Sequence, residues 1–264
     1  MTQTNDEFRG KTALFTGGTK GLGLAAASLF AKEGCHVFLA YRDDVVAADL
    51  AARSIRELGV QCEVIKADLS EEGGIERVFD ELAGKTKSLD YYVHNAAATA
   101  FKDLLEIKAH HIDKTFNITV KGFILGVQRA CAMMKPGSAV ISVSGMDTLK
   151  AVPRHGLLGA AKAALETLTS YYAHELAPRG IRVNGVNPGF LSTDSTRKYL
   201  GPAFEHVNKL FADSTPLKRE PALEEVAEVI RFLASRRSGW IVGQTLCVDG
   251  GFDFSLMSTV ATGP

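Results

Sequence analysis

Cysteine is scarce in this chain, and its placement gives no sign of a disulfide framework or a zinc site. The four cysteines, Cys35, Cys62, Cys131 and Cys247, are scattered and form no Cys-x-x-Cys pair. Isolated cysteines of this kind are typical of unpaired thiols in a reducing compartment. We therefore expect buried or half-buried thiols and no metal site.

Excess charge and long apolar runs are also missing. The 30 basic and 30 acidic residues cancel, so the chain lacks the basic surface that binds nucleic acids or anionic membranes. No apolar run is long enough to span a bilayer, and the polar, acidic first eight residues lack the features of a secretory signal. These absences predict a soluble cytoplasmic protein that binds neither nucleic acid nor membrane.

The chain does have enough apolar residues for one large core, because 46% of its 264 residues are hydrophobic. Length and composition predict a single domain over residues 1–264. Short β-rich runs alternate with longer amphipathic stretches along it. The predicted strands are 11–16, 36–40, 61–67, 89–94, 139–144, 181–186 and 245–248. The predicted helices are 22–32, 44–58, 72–82, one long helix over 110–134, 156–177 and 223–235.

The alternation of these elements predicts an α/β fold. Strands that are apolar on both faces and joined by helices form parallel sheets covered on both sides. With right-handed crossovers, the simplest topology is a single doubly wound parallel sheet, the Rossmann fold. Residues 190–218 interrupt the pattern, since they carry two prolines and are weakly periodic. A connection this long usually forms a lid, here with a short helix near 202–212.

A glycine-rich turn lies between the first predicted strand and the first predicted helix. Residues 16–23 read Thr-Gly-Gly-Thr-Lys-Gly-Leu-Gly. Such a turn lets the backbone approach a pyrophosphate, and the helix N-terminus presents unpaired N–H groups with a partial positive charge. A strand before it and a helix after it are the context of a nicotinamide dinucleotide site. The expected cofactor contacts from this turn are Gly17, Thr19, Lys20, Gly21, Leu22 and Gly23.

The end of the second predicted strand distinguishes NADH from NADPH. In NAD sites an acidic residue there binds the ribose 2′-hydroxyl, whereas an arginine accommodates a 2′-phosphate. Here Tyr41 and Arg42 end the strand, and Lys20 lies on the same side. We therefore predict NADPH (NADP+) as the cofactor. Asp43 and Asp44 leave NADH open as the alternative cofactor, and the other interpretation of the two cations is that they are solvated surface charges.

Two further strand ends are expected to contact the dinucleotide. Asp68 and Leu69 follow the third predicted strand, where a carboxylate can meet the adenine. Asn95 and Ala96 follow the fourth, where small residues let the loop pass beside the cofactor. The carboxyl ends of parallel strands meet at one edge of the sheet, so all these residues belong to a single predicted site.

Together these motifs resemble the short-chain dehydrogenase/reductase family. The turn at 16–23 is similar to its Thr-Gly-x-x-x-Gly-x-Gly, and His-Asn-Ala-Ala at 94–97 is similar to its Asn-Asn-Ala-Gly. Later residues follow in the family's order and spacing: Asn117, Lys162, Asn-Pro-Gly at 187–189 with Thr193, and Val-Asp-Gly-Gly at 248–251. The resemblance covers residues 8–254. Residues 151–166 are most similar to the NADPH-dependent enoyl-acyl-carrier-protein reductase branch.

The resemblance implies a role for several residues. Lys162 would bind the nicotinamide ribose hydroxyls and, as a cation, lower the pKa of a nearby acid. Asn117 would kink its long helix and hold a water in a proton relay. Thr193 and the backbone at Phe190 and Leu191 would hold the nicotinamide carboxamide, and Pro188 and Gly189 are further expected cofactor contacts.

The resemblance also implies an assembly and a class of partner. The family's interface helices correspond to 117–134 and 156–177, and a second interface involves the final strand with Trp240, which implies a homotetramer. The substrate would be a small molecule or an acyl thioester, and an acyl carrier protein is a candidate partner.

The catalytic tyrosine of the family is absent. Four residues before Lys162, the usual Tyr-x-x-x-Lys spacing, stands Leu158; seven before it, the enoyl reductase spacing, stands His155. The usual serine position is Gly145, with Ser144 beside it. An imidazole titrates near neutral pH and can donate a proton, with Asp147 as a candidate to orient it. The predicted catalytic residues are His155, Lys162, Ser144 and Asn117; the alternative for His155 is an ordinary loop histidine.

Three functions remain open from the sequence. The first is an NADPH-dependent reductase of an enoyl thioester or conjugated carbonyl in fatty-acid or polyketide-like biosynthesis. The second keeps the dinucleotide pocket but catalyses a non-redox cyclisation, elimination or isomerisation. The third is a catalytically silent subunit that pairs with an active relative. The cofactor residues favour the first, and the missing tyrosine and serine favour the other two.

Overall fold

The computed structural model describes residues 7–254. Residues 1–6, on which the prediction about a secretory signal largely depends, and residues 255–264 lie outside the described part. Seven strands form one sheet, and every neighbouring pair is parallel. The strands are β1 (Thr12–Thr16), β2 (His36–Tyr41), β3 (Cys62–Lys66), β4 (Tyr91–His94), β5 (Ala139–Val143), β6 (Arg182–Pro188) and β7 (Thr245–Val248).

The strand order β3-β2-β1-β4-β5-β6-β7 reverses direction between β1 and β4, so the predicted doubly wound Rossmann topology is confirmed. Ligands of such sheets bind at this switch point, outside the carboxyl ends of the strands. The α-helices are α1 (Gly21–Lys32), α2 (Val45–Arg56), α3 (Gly74–Lys85), α4 (Ala109–Phe116), α5 (Gly122–Met133), α6 (Gly156–Leu176), α7 (Asp194–Leu200), α8 (Phe204–Ser214) and α9 (Leu223–Ala234).

Two apolar cores, one on each face of the sheet, explain why the strands read as continuous hydrophobic runs. All five residues of β1 and all five of β5 are buried. On one face Phe8, Phe15 and Phe30 pack edge to face or nearly so beside α1 and α9. On the other, Leu14 and Phe123 belong to the cluster that includes α3 and α5. A strand covered on both faces has no polar side, which removes the alternation of a half-buried strand.

The predicted boundary of α3 was wrong at both ends. The sequence predicts a helix over 72–82, but it runs from Gly74 to Lys85. Gly73 is left-handed, and a Cβ on Gly74 would lie 2.1 Å from the carbonyl oxygen of Asp68. The left-handed conformation of Gly73 prevents the helix from beginning earlier, and the nearby Asp68 carbonyl leaves no space for a side chain at 74.

The long helix predicted over 110–134 is present but carries an irregularity. It is continuous from Ala109 to Met133, with one π-helical turn at Asn117–Lys121 between α4 and α5. The N–H of Gly122 donates to the carbonyl of Asn117, five residues back. Such turns occur mostly at functional sites, and this one lies where the resemblance places a kink.

The lid segment is more helical than predicted. Instead of one short helix near 202–212, it forms α7 and α8, which are separated at Gly201 and Pro202. Cys35, Cys62 and Cys131 are buried, but Cys247 is exposed, so the prediction for that thiol was wrong. Cys247 lies on β7, at the edge of the sheet that the described residues form. No helix within residues 7–254 is both long enough and apolar enough to cross a bilayer.

Candidate cofactor and active site

The glycine-rich turn presents only backbone to the switch point. Gly17 and Gly21 have φ of 63° and 52°, which a side chain would strain. A Cβ on Gly23 would lie 2.3 Å from the carbonyl oxygen of Gly17. Lys20 precedes the first turn of α1, and its side chain makes no capping hydrogen bond, so the first N–H groups of the helix are left for an anion. Residues Thr19 and Leu22 are buried beneath the turn.

Thr16 and Asn95 fix this turn against the end of β4. The hydroxyl oxygen of Thr16 accepts hydrogen bonds from the N–H groups of Asn95 and Ala96, both at 3.1 Å. The Asn95 amide donates to the carbonyl oxygens of Gly17 at 2.9 Å and Thr16 at 3.2 Å. A Cβ on Gly17 would lie 3.1 Å from Cα of Ala96. The two predicted cofactor segments are thus adjacent.

The two cations predicted to select NADPH are ion-paired at the surface. Nε of Arg42 lies 2.8 Å from a carboxylate oxygen of Asp43, and Lys20 pairs with Asp44. The hydrogen bond from Lys20 holds the pKa of Asp44 below its usual range. Asp44 also caps α2 by accepting from the N–H of Ala47. Exposed ion pairs are worth at most about 1 kcal/mol, so a 2′-phosphate can displace these carboxylates at little cost.

Asp68 and Asn117 both form hydrogen bonds with Ser70, in the loop after β3. One Asp68 oxygen accepts from both the N–H and the hydroxyl of Ser70, at 2.8 and 2.7 Å. Burial raises the pKa of Asp68, but these hydrogen bonds outweigh it and hold the pKa below its usual range. The Asn117 amide donates to the Ser70 carbonyl at 3.2 Å. Leu69 packs against the core beneath. Asn117 therefore anchors the loop that carries the predicted adenine contact.

The exit of β6 brings the lid to the glycine-rich turn. Pro188 is the last residue of the strand, and the N–H of Gly189 donates to the carbonyl of Val248 on β7. Leu191 packs against the core. Thr193 caps α7 by accepting from the N–H of Thr196 at 3.2 Å. Its methyl carbon would lie 3.4 Å from a Cβ on Gly21, so Thr193, the predicted carboxamide contact, faces the glycine-rich turn.

Lys162 is buried on α6 at the carboxyl end of β5. Its ammonium donates to the carbonyl of Val143, and the residue is 5% exposed. Burial lowers the pKa of Lys162 to about 8, while Asp147 and Glu166 act in the opposite direction. The side chain is therefore still mostly a cation at neutral pH.

Ser144 is committed to a carboxylate that the sequence reasoning did not identify. Its hydroxyl donates to Glu166, and the same Glu166 oxygen accepts from Thr148 at 3.0 Å and Asn187 at 2.8 Å. Glu166 stands four residues after Lys162 on the same face of α6, and that spacing is the signal that could have found it.

His155 lies in an aromatic cluster beside a buried acid. Its Nδ1 is 3.5 Å from Oδ2 of Asp147, so the pair considered from the sequence does meet. The ring centroids of Phe101 and Tyr199 lie 4.9 and 5.3 Å from that of His155. Tyr199 comes from the lid. Arg154, just before His155, has a φ of 65°, and strained backbone of this kind concentrates at functional sites.

His94 is a buried polar residue that the sequence reasoning passed over. It stands where the family motif has its first asparagine, and burial lowers its pKa to about 3, so the ring is neutral. Its Nε2 donates to the carbonyl of Thr119 in the π turn at 3.2 Å, and Nδ1 accepts from the hydroxyl of Tyr92 at 3.0 Å. His94 thus connects the sheet to the irregular turn beside Asn117.

An NADP(H) molecule fits these residues. The glycines leave space that a Cβ would fill, the helix N-terminus is uncapped, and cations stand at the end of β2. Lys162 is buried at the far end of the same sheet edge, where the nicotinamide ribose would lie.

Comparisons with known proteins agree with this geometry. The family model described as Enoyl-(Acyl carrier protein) reductase matches residues 17–253. The chain is 34% identical over 249 residues to 1-cyclohexenylcarbonyl-CoA reductase of Streptomyces collinus, covering 94% of this chain and 88% of that protein. It is 30% identical over 257 residues to versicolorin reductase 1 of Dothistroma septosporum, covering 93% of this chain and 98% of that protein.

Solved structures with NADP share the whole fold. A short-chain dehydrogenase from Burkholderia cenocepacia J2315 in complex with NADP superposes with a TM-score of 0.86 at 29% identity, covering 94% of this chain and 99% of that chain. An angucycline C-6 ketoreductase with bound NADP gives a TM-score of 0.87 at 29% identity, covering 94% of this chain and 98% of that chain. The chain therefore belongs to the short-chain dehydrogenase/reductase family and is an NADP(H)-dependent oxidoreductase.

Proposed function

We propose that the protein reduces the conjugated double bond of an α,β-unsaturated acyl thioester and that protonated His155 is the donor to the thioester oxygen. The observation that carries this proposal is the position of His155: it pairs with Asp147, packs against Phe101 and Tyr199, and stands seven residues before Lys162. Leu158, which stands four residues before Lys162 at the Tyr-x-x-x-Lys spacing, has no proton to donate.

The chemistry divides between the cofactor and the chain. Bound NADPH supplies a hydride. Negative charge then develops on the thioester oxygen, which a hydrogen-bond donor stabilises. Since the Nδ1–H of His155 faces Asp147, the Nε2–H of the protonated ring is the donor to that oxygen, and transfer of this proton leaves the neutral Nδ1–H form. Lys162 holds the ribose hydroxyls and adds positive charge beside them.

Conjugate reduction makes a smaller demand on the missing residues than ketone reduction does. An alkoxide formed from a ketone must be protonated at oxygen, so it needs a well-placed acid. An enolate needs chiefly an oxyanion donor and can take its proton at carbon from another source. His155 alone meets that demand, whereas Ser144 is bound to Glu166 and Leu158 is apolar.

The aromatic cluster supports a planar substrate. The rings of Phe101 and Tyr199 lie 3.8 Å apart at their centroids, with His155 against both. Aromatic faces favour flat conjugated groups. Because Tyr199 belongs to the lid, we propose that residues 190–218 close over the acyl group.

Three cations support a phosphate-bearing thioester carrier. Lys102, Arg154 and Lys198 are the sequence neighbours of Phe101, His155 and Tyr199, and none of the three forms an ion pair with a carboxylate of the described residues. A coenzyme A diphosphate, or the acidic surface of an acyl carrier protein, would complement them. We expect Lys102→Ala and Lys198→Ala to raise KM for a coenzyme A thioester and to leave KM for the N-acetylcysteamine thioester unchanged.

The test of the proposal is NADPH oxidation with matched substrates. We expect turnover of 1-cyclohexenylcarbonyl-CoA or crotonyl-CoA to exceed that of a β-ketoacyl-CoA. His155→Phe is expected to lower kcat about 100-fold, the usual contribution of a positioned proton donor, with unchanged NADPH affinity. His110→Phe, on the exposed start of α4, is the control and keeps the wild-type rate. Full activity of His155→Phe would remove His155 from the mechanism, and no oxidation with any enoyl thioester would contradict the function.

A second candidate is a non-redox reaction on a similar substrate. It is favoured by the commitment of Ser144 to Glu166 and by Leu158, which together remove the usual proton relay. Product formed without consumption of NADPH would identify it.

A further inference from the structure

Asp147 is a buried acid between two residues of the active site. Its side chain is 7% exposed, and it acts electrostatically on Lys162. Its Oδ2 is buried and has no hydrogen-bond partner, yet this is the oxygen that lies 3.5 Å from Nδ1 of His155. An unpartnered buried carboxylate oxygen is costly unless a cation or donor is turned toward it. The neighbour placed to satisfy it is the imidazole of His155.

Two glycines leave space for Asp147, one beside its carboxylate and one beside its main-chain carbonyl. A Cβ on Gly145 would lie 2.8 Å from Oδ1 of Asp147, and a Cβ on Gly159 would lie 2.6 Å from its carbonyl oxygen. Gly145 has a φ of −178°, extended backbone that any residue adopts. Space, rather than backbone conformation, therefore favours glycine at 145, because a side chain there would displace the Asp147 carboxylate.

Resting on the proposed function, we infer that Asp147 is the positioning residue for His155 and that Gly145 admits it. Asp147 accepts the Nδ1–H of His155 and leaves Nε2 toward the substrate. The two departures from the family pattern are thus linked, because a serine at 145 would displace the Asp147 carboxylate that orients His155. The neutral imidazole left after proton donation from Nε2 keeps its proton on Nδ1.

The tautomer of neutral His155 tests this directly in the cofactor-free protein. Two-bond 1H–15N spectra at alkaline pH distinguish the Nδ1–H from the Nε2–H form, and the spectrum of His155→Phe identifies the signal among the seven histidines. We expect the Nδ1–H form in the wild type. An Nε2–H form there overturns the inference, with no variant needed.

Substitutions at both positions extend the test. Asp147→Asn replaces an acceptor with an amide that can donate to Nδ1, which shifts the neutral ring to Nε2–H. We expect kcat to fall about 100-fold while KM for the thioester changes less than about threefold. Gly145→Ser is expected to act in the same direction. Asp80→Asn, which breaks a surface ion pair with Arg129, is the control and leaves both readouts unchanged.

The outcomes separate this inference from the function it rests on. If Asp147→Asn keeps the Nδ1–H form and the wild-type kcat, the positioning role is wrong while the reductase stands. If the wild type shows the Nδ1–H form and Asp147→Asn loses it, but no enoyl thioester is reduced, the contact between the two residues is supported and the proposed substrate is wrong.

Discussion

At Lys162 the dominant influence is removal from water. Two acids act on the ammonium, yet burial prevails and lowers its pKa to about 8 from an ordinary value near 10.5. Within residues 7–254, the ammonium donates its one hydrogen bond to the Val143 carbonyl. In the cofactor-free protein this is a buried charge held by a single neutral acceptor, which costs stability. Ribose hydroxyls of a bound dinucleotide would supply further acceptors.

The stability of the cofactor-free protein is therefore expected to depend on Lys162 at alkaline pH. Between about pH 8 and 10.5 the unfolded chain keeps the lysine proton more firmly than the folded protein, so the free energy of unfolding rises with pH across that window. Relative to Lys162→Met, the wild type is expected to gain about 3 kcal/mol in the free energy of unfolding across this pH window. The hydrogen bond to Val143 that Lys162→Met removes adds a difference in the free energy of unfolding that does not change with pH.

Urea unfolding of both proteins at several pH values measures this gain. A difference between them that stays constant from pH 8 to 10.5 would show that Lys162 is not perturbed by burial.

Single residues also mark how far the sequence could be interpreted. The spacing of His155 from Lys162 placed the histidine, and its pairing with Asp147 could be suggested because a carboxylate often orients an imidazole. The reason for Gly145 could not be predicted, because it depends on a collision between side chains that only the folded turn brings together. The same holds for the Asn187–Glu166 hydrogen bond, which joins residues 21 apart in the chain.

Among the elements, the turn between β1 and α1 has little tolerance for change. Gly23→Ala would place a Cβ 2.3 Å from the Gly17 carbonyl and 2.7 Å from the Asn95 amide, so the backbone must move. We expect NADPH affinity, measured by calorimetry, to fall at least about tenfold, which is roughly 1.4 kcal/mol.

Gly84 in α3 provides the matched control. No heavy atom lies within 4 Å of a Cβ built there. Gly84→Ala is expected to raise the free energy of unfolding by about 0.5–1 kcal/mol and to leave NADPH affinity unchanged. Equal affinities for wild type and Gly23→Ala would mean that the turn does not approach the pyrophosphate.

Helices and strands were predictable wherever the hydrophobic pattern alone determines them, as in the continuous apolar runs of β1 and β5. The sequence failed where the local backbone conformation departs from that pattern. α3 begins at Gly74 because Gly73 is left-handed, and the π turn at Asn117–Lys121 leaves no mark on hydrophobic periodicity. The lid divides into two helices at Gly201, although the sequence predicts only the second.

For the whole molecule we propose a homotetramer. Trp240 is 99% exposed and Tyr171 is 67% exposed, and both lie where the family resemblance places an interface. The segment that follows Trp240 lies against α6, because a Cβ on Gly243 would lie 3.3 Å from Cβ of Ala173. Large exposed aromatics are typical of association surfaces.

Sedimentation measures this assembly. We expect the wild type to sediment as a tetramer and Trp240→Arg as a smaller species. Leu50→Glu, an equally drastic change on the exposed face of α2, is expected to leave the tetramer intact. A monomeric wild type would rule the tetramer out.

The most direct measurement is transfer of deuterium from NADPH carrying two deuterium atoms at nicotinamide C4 to 1-cyclohexenylcarbonyl-CoA, followed by mass spectrometry of the product. For a conjugate reductase, one deuterium is expected at the carbon β to the thioester, with the α-proton from solvent. A product that contains no deuterium would contradict hydride transfer, and with it the assignment of this site to conjugate reduction.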